Sequence, residues 1–223
     1  MKWLYLALDL GSISVPFIFS YHPKLLFYKN FKHLTGAIIG MLIPFILWDV
    51  YFTDLGVWGF NETYLLGIDI LNLPIEEWLF FICIPFACVY TYHCIKLFYP
   101  KPIPFQSRYI SIPLIIILAA LIPFGGIYTL WAFLTCIAVI AVNEFIIKAS
   151  YLNNFYFAFI FILIPFFLVN GVLTGSFIED QVVWYNNEEN LGIRMGTIPF
   201  EDTFYGLALL LGNVTIYEWL KSK

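Results

Sequence analysis

The chain alternates between long apolar stretches and short polar segments. A membrane-spanning helix needs about 20 predominantly apolar residues, and seven stretches approach or reach that length. The sequence therefore predicts an all-α, polytopic membrane protein with about seven transmembrane helices. The predicted spans are residues 3–20, 33–52, 74–97, 109–124, 127–148, 155–174 and 199–220.

The composition agrees with this pattern. Hydrophobic residues make up 61% of the 223 residues and charged residues 12%, whereas soluble domains are about 45–50% apolar and about 25% charged. The surplus of apolar side chains excludes an ordinary soluble enzyme and a disordered chain. The net charge of −4 leaves no basic surface for a phosphate backbone, so we expect no nucleic-acid partner.

The basic residues predict an orientation in the membrane. With seven spans, nine of the eleven lysine and arginine residues lie on one side, and only Lys2 and Arg194 lie on the other. Cytoplasmic loops carry an excess of these residues. We therefore expect a multi-pass protein of the cell membrane, with the N-terminus outside and the C-terminus in the cytoplasm. Omitting the short fourth span would place the C-terminal lysines opposite the early ones.

Two parts of the chain resemble each other. The sequence LIPF at 42–45 recurs at 163–166, and PIEE at 74–77 recurs as PFED at 199–202. We interpret 1–223 as a single membrane domain with repeat one at about 1–100, a linker helix at about 105–125 and repeat two at about 127–223. Because each repeat has an odd number of spans, a second repeat joined directly to the first would be inverted in the membrane. The linker helix restores its orientation. The predicted architecture is a 3+1+3 parallel repeat about an axis along the membrane normal.

Both acidic motifs open a predicted helix on the outer side of the membrane. Acidic residues there favour the positive end of the helix, with Asn72 or Thr197 as the cap. The alternative is functional, since an ionisable residue that faces a bundle interior marks a site. Two related copies brought together by symmetry favour the second interpretation, and we expect the two glutamates in the third motif position to face one apolar cavity. The candidate catalytic residues are Glu76, Glu77, Glu201 and Asp202.

Further polar residues are candidates for substrate binding or support. Asp49 lies at the outer end of the second span, and Asn170 is its counterpart 121 residues later. Asp9 lies about 9 Å into the first span at 1.5 Å per residue, where a hydrogen bond to a neighbouring helix is the alternative explanation. Pro74 and Pro199 suit the first turn of their helices.

Other reactive side chains receive structural interpretations. Glu144 lies one turn before Lys148, a spacing that suits an ion pair, so we exclude it from the site. The four cysteines lie in apolar runs without zinc-ligand spacing, and the histidines fall on the inner side. We therefore predict no metal site. The chain also has no glycine-rich nucleotide-binding motif.

The duplicated Pro-x-Glu-[Glu/Gln] motif on short polytopic repeats resembles the non-flavin lycopene cyclase domain family of carotenoid biosynthesis. That family occurs as two small subunits (the heterodimeric type) and as fused chains such as this one. The resemblance covers essentially the whole chain. The motif at 74–77 matches the family pattern fully, whereas the motif at 199–202 departs from it with Asp202 at the last position.

The resemblance implies a lycopene beta-cyclase, an intramolecular lyase or isomerase. This reaction is an acid-catalysed, redox-neutral cyclisation of the ψ-ends of lycopene to β-ionone rings, giving γ-carotene and then β-carotene. We expect either Glu76 or Glu201 to donate the proton and the other to act as base or cation stabiliser, with Glu77 and Asp202 tuning them. The implied partners are a lipophilic carotenoid substrate, the lipid bilayer and other carotenoid-pathway enzymes, and no cofactor is expected.

Two other functions stay open. Small sugar facilitators also have a 3+1+3 parallel repeat, but their site lies near the membrane midplane, whereas the duplicated acids here lie in the outer third. A non-catalytic membrane subunit that binds a carotenoid, quinone or other isoprenoid is the third candidate. Pigment analysis in lycopene-producing cells distinguishes the three.

Overall fold

A computed structural model of the protein describes residues 1–99 and 105–223. The seven predicted helices are present, and the fold is mostly helical. The boundary expected near residue 100, between repeat one and the linker, lies outside the described residues. The helices are α1 (Leu4–Phe19), α2 (Phe31–Asp54), α3 (Ile75–Phe98), α4 (Arg108–Leu121), α5 (Ile127–Ala141), α6 (Leu152–Leu173) and α7 (Phe200–Lys221).

Short antiparallel strands organise the two long loops, between α2 and α3 and between α6 and α7. They are β1 (Trp58–Phe60), β2 (Asp69–Ile70), β3 (Leu73–Pro74), β4 (Val183–Tyr185), β5 (Arg194–Met195) and β6 (Ile198–Pro199). β2 pairs with β3 and β5 with β6, so each acidic helix is preceded by a small hairpin. β1 pairs with β4, with Gly59 opposite Trp184 at the centre, and this ladder joins the two loops.

Four helical segments in the described residues are long and apolar enough to cross a membrane, and two shorter apolar helices accompany them. The four segments are Phe27–Asp54, Ile75–Phe98, Ile127–Ile147 and Leu152–Leu173. The shorter ones are Leu4–Phe19 and Arg108–Phe124. These lengths and compositions indicate a membrane-associated protein.

The last helix, α7, is more polar than the others because it lies in the middle of the bundle. It contacts α2, α3, α5 and α6. Its buried residues include Glu201, Asp202 and Asn213. Polar side chains there contact protein instead of lipid, so the helix needs less hydrophobicity than a lipid-facing one.

The two long loops hold each other through reciprocal hydrogen bonds. The Asn61 amide donates to the Val182 carbonyl and the Asn186 amide donates to the Val57 carbonyl, each at 2.9 Å. Each residue on one loop has its counterpart 125 positions later on the other. The loops are therefore related by an approximate local two-fold axis through the centre of the β1–β4 ladder.

The two repeats are 121 residues apart at the LIPF motif and 125 residues apart at the acidic motif, and the structure locates the change between them. The Val57 amide donates to the Phe52 carbonyl, and the Val182 amide donates to the Leu173 carbonyl. Four residues lie between the first pair and eight between the second. The extra four residues therefore lie within 174–181, at the start of the second loop, where insertions are tolerated.

The expected ion pair between Glu144 and Lys148 is wrong. Residues Val142–Ile147 form a π-helical turn, and Lys148 has a left-handed backbone with φ of 53°, so the regular one-turn spacing is lost. Glu144 is buried instead, with its Oε1 3.3 Å from Arg108 Nε and its Oε2 accepting a 2.9 Å hydrogen bond from Ser111. It joins α4 to the end of α5.

Candidate active site

A cavity of about 520 Å³ lies between α1, α3, α6 and α7, below the β1–β4 ladder. Most of its lining is apolar, and its carboxylic acids gather at the end near the ladder. They are Asp49, Glu77 and Asp202, here called the acid cluster. All three are buried, with at most 8% of their surface exposed. Groups brought together from α2, α3 and α7 thus share one desolvated space.

Glu77 and Asp49 form one half of the acid cluster. The Glu77 carboxyl group accepts a 2.6 Å hydrogen bond from the Tyr5 hydroxyl of α1, and the Asp49 carboxyl group lies within hydrogen-bonding reach of it. Asp49 in turn accepts a 3.1 Å bond from the Tyr205 hydroxyl. Two ionised carboxylates repel each other, and burial strengthens that repulsion. Since only a protonated carboxyl group can donate to another, the pair is arranged to share a proton.

Asp202 forms the other half and has a different set of neighbours. Its Oδ1 accepts a 2.5 Å hydrogen bond from the Tyr128 hydroxyl, and its Oδ2 accepts 3.0 Å bonds from Asn170 and from the Tyr185 hydroxyl. All three neighbours are donors, and hydrogen bonds to the charged form favour that form. This environment suits an ionised carboxylate.

The two halves of the acid cluster differ in residue type at one pair of corresponding positions. Asn170 follows Asp49 by 121 residues, and Asp202 follows Glu77 by 125. An aspartic acid thus neighbours Glu77, and an asparagine bonds Asp202 at the equivalent place. Because an amide N–H donates without supplying a titratable proton, the first pair can share a proton, whereas the second offers Asp202 a donor that stabilises a carboxylate.

Glu76 and Glu201 do not line this cavity, so the expectation that they face it is wrong. The Oε1 of Glu76 accepts a 2.7 Å hydrogen bond from the Leu66 amide, and the Oε1 of Glu201 accepts a 2.8 Å bond from the Leu191 amide. Thr129 adds a 2.6 Å bond to Glu201. Successive helical residues differ by about 100° around the axis. A helix that turns residues 77 and 202 towards the cavity therefore turns 76 and 201 towards the loops.

The residues around the helix starts also differ from expectation. Neither Asn72 nor Thr197 caps its helix. Asn72 donates to the backbone of α2 and Thr197 to the backbone of α6. Pro74 and Pro199 lie in β3 and β6, immediately before the first helical residue, and outside the cavity lining. The hairpins, more than side-chain caps, set where the two acidic helices begin.

Asp9 is fully buried in α1 but does not line the cavity. The expected hydrogen bond to a neighbouring helix is absent, since neither carboxyl oxygen has a partner among the described residues. An unpaired buried charge is costly, so Asp9 fits its position as a neutral acid.

Among residues 1–99 and 105–223, no group of three or more His, Cys, Asp or Glu side chains could hold a metal ion.

The sequence interpretation missed the tyrosines that hold the acids. Tyr5 and Tyr128 donate to the acids of α3 and α7 respectively, and they are 123 residues apart. Extending the repeat comparison to the first helix of each half would have aligned them. Tyr185 lies on β4, outside the helices, where burial and the negative charge of Asp202 raise the pKa of its hydroxyl well above the ordinary value. Its hydroxyl therefore remains a donor.

Aromatic rings cover the cavity above the acid cluster. Trp58 lies 5.1 Å from Tyr128 and 6.5 Å from Tyr205 between ring centroids, and Tyr128 stacks on Tyr185 at 5.9 Å. All four line the cavity. Aromatic faces attract cations, most strongly when water is absent. The site thus combines a pair of neighbouring carboxyl groups, a third carboxyl group held by three donors, and π faces in one apolar space.

A protein-family model described as lycopene cyclase matches residues 2–95 and 125–220. The chain belongs to the lycopene cyclase family. The two matched segments cover α1–α3 and α5–α7 except for the last residues of α3 and α7, and each includes one acidic motif. No curated protein and no solved structure gives a significant match. Membership confirms the resemblance drawn from the duplicated motif, and it supports a role in carotenoid cyclisation with a carotenoid as the substrate class.

Proposed function

We propose that this protein is a lycopene beta-cyclase, which converts the ψ-ends of lycopene to β-ionone rings without net oxidation or reduction. The observation that carries the proposal is the acid cluster, where a proton-holding pair and a separate carboxylate share one apolar cavity. Membership of the lycopene cyclase family supports the substrate class. The product would be γ-carotene after one cyclisation and β-carotene after two.

The Glu77–Asp49 pair is the proton donor in this proposal, in place of Glu76 or Glu201. Glu77 transfers the shared proton to C2 of the terminal alkene, whose π electrons form the new C–H bond and leave a tertiary cation at C1. An alkene is a weak base, so the acid must be shielded from water, as it is here. The Tyr5 hydroxyl, 2.6 Å away, stabilises the carboxylate that remains.

Ring closure and proton loss complete the reaction. The C5=C6 bond attacks C1, which forms the C1–C6 bond and moves the positive charge to C5. Asp202 then removes the proton from C6, and the C5=C6 double bond is restored. A carboxylate has about four lone-pair sites, and three are occupied by hydrogen bonds, so one remains for this proton. Returning it to the Glu77–Asp49 pair resets the site, and the product is an isomer of the substrate.

We also propose seven membrane spans, the N-terminus outside, and a parallel repeat of α1–α3 by α5–α7. Supporting the repeat are the two matched segments and the hydrogen bonds that recur at a 125-residue offset. The Ile75 amide donates to the Ile68 carbonyl at 2.8 Å, and the Phe200 amide donates to the Ile193 carbonyl at 3.0 Å. Under this arrangement α4 is the linker, and the acid cluster lies close to the pseudo-symmetry axis.

The test is pigment analysis in lycopene-producing cells that express each variant at matched levels. The parent should yield γ-carotene and β-carotene, and Glu77→Gln should yield almost none, because general acid catalysis contributes about 10²–10⁴-fold. Glu62→Gln is the matched control, since Glu62 is exposed in the loop before α3. No cyclic product from the parent would refute the proposed reaction, and near-parental β-carotene from Glu77→Gln would refute its mechanism. Lycopene bound but unchanged would favour a carotenoid-binding subunit.

A further inference from the structure

The cavity opens sideways through the wall of the helix bundle. α3 forms its floor, and α1 and α6 lie on either side of that helix. Four of its lining residues are also exposed on the outer surface of the bundle. This side opening is formed by Ala7 and Gly11 of α1 and by Pro165 and Leu168 of α6. In the seven-span arrangement proposed above, these positions on apolar helices would face acyl chains, and the opening would connect the cavity with the bilayer.

The cavity is also elongated. Along α3 its lining extends from Glu77 to Thr91, and fourteen residues at 1.5 Å per residue span about 21 Å. Between these ends the α3 lining is apolar, with Phe80, Ile84 and Ala87 among its residues. A linear polyene matches this shape, with one end at the acid cluster and the rest of the chain along the groove.

The corresponding passage between α2 and α5 is filled. In the described chain these two helices contribute one cavity-lining residue each. Where α6 has Val169, α2 has Trp48 at the position 121 residues earlier, and where α7 has Gly206, α3 has Phe81 at the position 125 residues earlier. Phe45 lies 5.5 Å from Trp48 and 6.2 Å from Phe81 between ring centroids. Aromatic side chains thus occupy the space that is open on the other side.

We propose that the side opening between α1 and α6 is the single entrance through which one end of an acyclic polyene passes from the bilayer to the acid cluster. The inference rests on the proposed function for the identity of the polyene. Because both halves of the acid cluster serve one groove, the two ends of a substrate are cyclised in turn. The monocyclic product withdraws into the bilayer and returns with its other end.

Gly11→Trp tests the entrance. A Cβ at Gly11 meets no atom within 4 Å, so a side chain can begin at this position without a clash, and a bulky indole there narrows the opening. Leu134→Trp is the matched control, because Leu134 lies 123 residues later on α5 and is 45% exposed. Gly11→Trp should lower cyclic carotenoid formation by about 10²-fold, the scale of loss when a substrate is misplaced. Leu134→Trp should remain close to the parent. Equal product from Gly11→Trp and the parent would overturn the proposal.

A binding measurement separates this inference from the proposed reaction. Lycopene that stays bound to purified Glu77→Gln protein, after detergent washing on an affinity column removes lipid and free pigment, is measured by absorbance, with Gly11→Trp or Leu134→Trp added to that background. Retention should be lost only with Gly11→Trp. That result, together with no cyclic product from the parent, would support the entrance and refute the reaction. Lycopene retained equally by all three proteins would overturn the entrance.

Discussion

The proton shared by Asp49 and Glu77 can be removed by one isosteric substitution. Asp49→Asn gives Glu77 the same type of neighbour that Asp202 has in Asn170, where the amide donates a 3.0 Å hydrogen bond. Glu77 then has no acid with which to share a proton and becomes a hydrogen-bonded carboxylate. We therefore expect Asp49→Asn to lose the proton donor while keeping the shape of the cavity.

The size of the loss follows from the fraction of protonated acid. A glutamate with an ordinary pKa of about 4.3 is protonated in about one molecule in 500 at pH 7, equivalent to about 3.7 kcal/mol. Burial of the site retains some of the protonated form, so about 500-fold is an upper limit for the fall in ring formation at pH 7. The remaining activity should rise as the pH is lowered, because protonation restores the donor.

The assay is β- and γ-carotene formation from lycopene by purified protein in liposomes, measured by chromatography between pH 5 and pH 8. Asp54→Asn is the matched control, since Asp54 is exposed at the end of the same helix. A double variant, Asp49→Asn with Asn170→Asp, moves the acid pair to Asp202 and should recover part of the activity. Parental activity and an unchanged pH profile for Asp49→Asn would refute the assignment of the shared proton.

Three further predictions follow from the same contacts. Tyr5→Phe removes a hydrogen bond to a charged group, worth about 1.5–3 kcal/mol, and should slow ring formation by about 10–100-fold while leaving the amount of membrane-inserted protein unchanged on immunoblots. Glu76→Gln keeps an oxygen for the Leu66 amide and should retain most β-carotene formation. Glu76→Ala loses that hydrogen bond and should lower the melting temperature in detergent. Loss of activity in Glu76→Gln would show that Glu76 is catalytic. Reporter fusions after Lys29 and Lys223 should both indicate the cytoplasm and a fusion after Glu189 the outside, and opposite sides for the two lysines would contradict seven spans.

The sequence predicted the helices well because the length of an apolar run is a local property. It also indicated α7 as one of the seven apolar stretches, although its polar residues reduce its hydropathy. The pairing of the two loops was beyond such reasoning. The β1–β4 ladder has three residue pairs, and its strands are separated by more than a hundred residues of chain.

The same limit explains why the motif identified the turn of each helix that reaches the cavity but not which of its two acids lines it. Glu76 and Glu77 are adjacent, and the rotation of α3 decides which faces the cavity. That rotation is fixed by contacts distant in sequence from the motif: the Leu66 amide holds Glu76 from the loop side, and Tyr5 holds Glu77 from α1. A sequence motif records the residue types, whereas the orientation depends on partners in other elements.

Duplication followed by divergence gives a physical reason for the form of the site. Two identical halves would bring two identical acids to the symmetry axis, where like charges favour a shared proton but supply no separate base. Aspartate at position 49 and asparagine at position 170 break that equivalence, and in the proposed mechanism one half then holds a proton and the other a negative charge. Trp48, at the position equivalent to Val169, breaks the equivalence again because it fills the passage between α2 and α5. A proton donor, a base and one groove thus arise from a repeat through changes at a few positions.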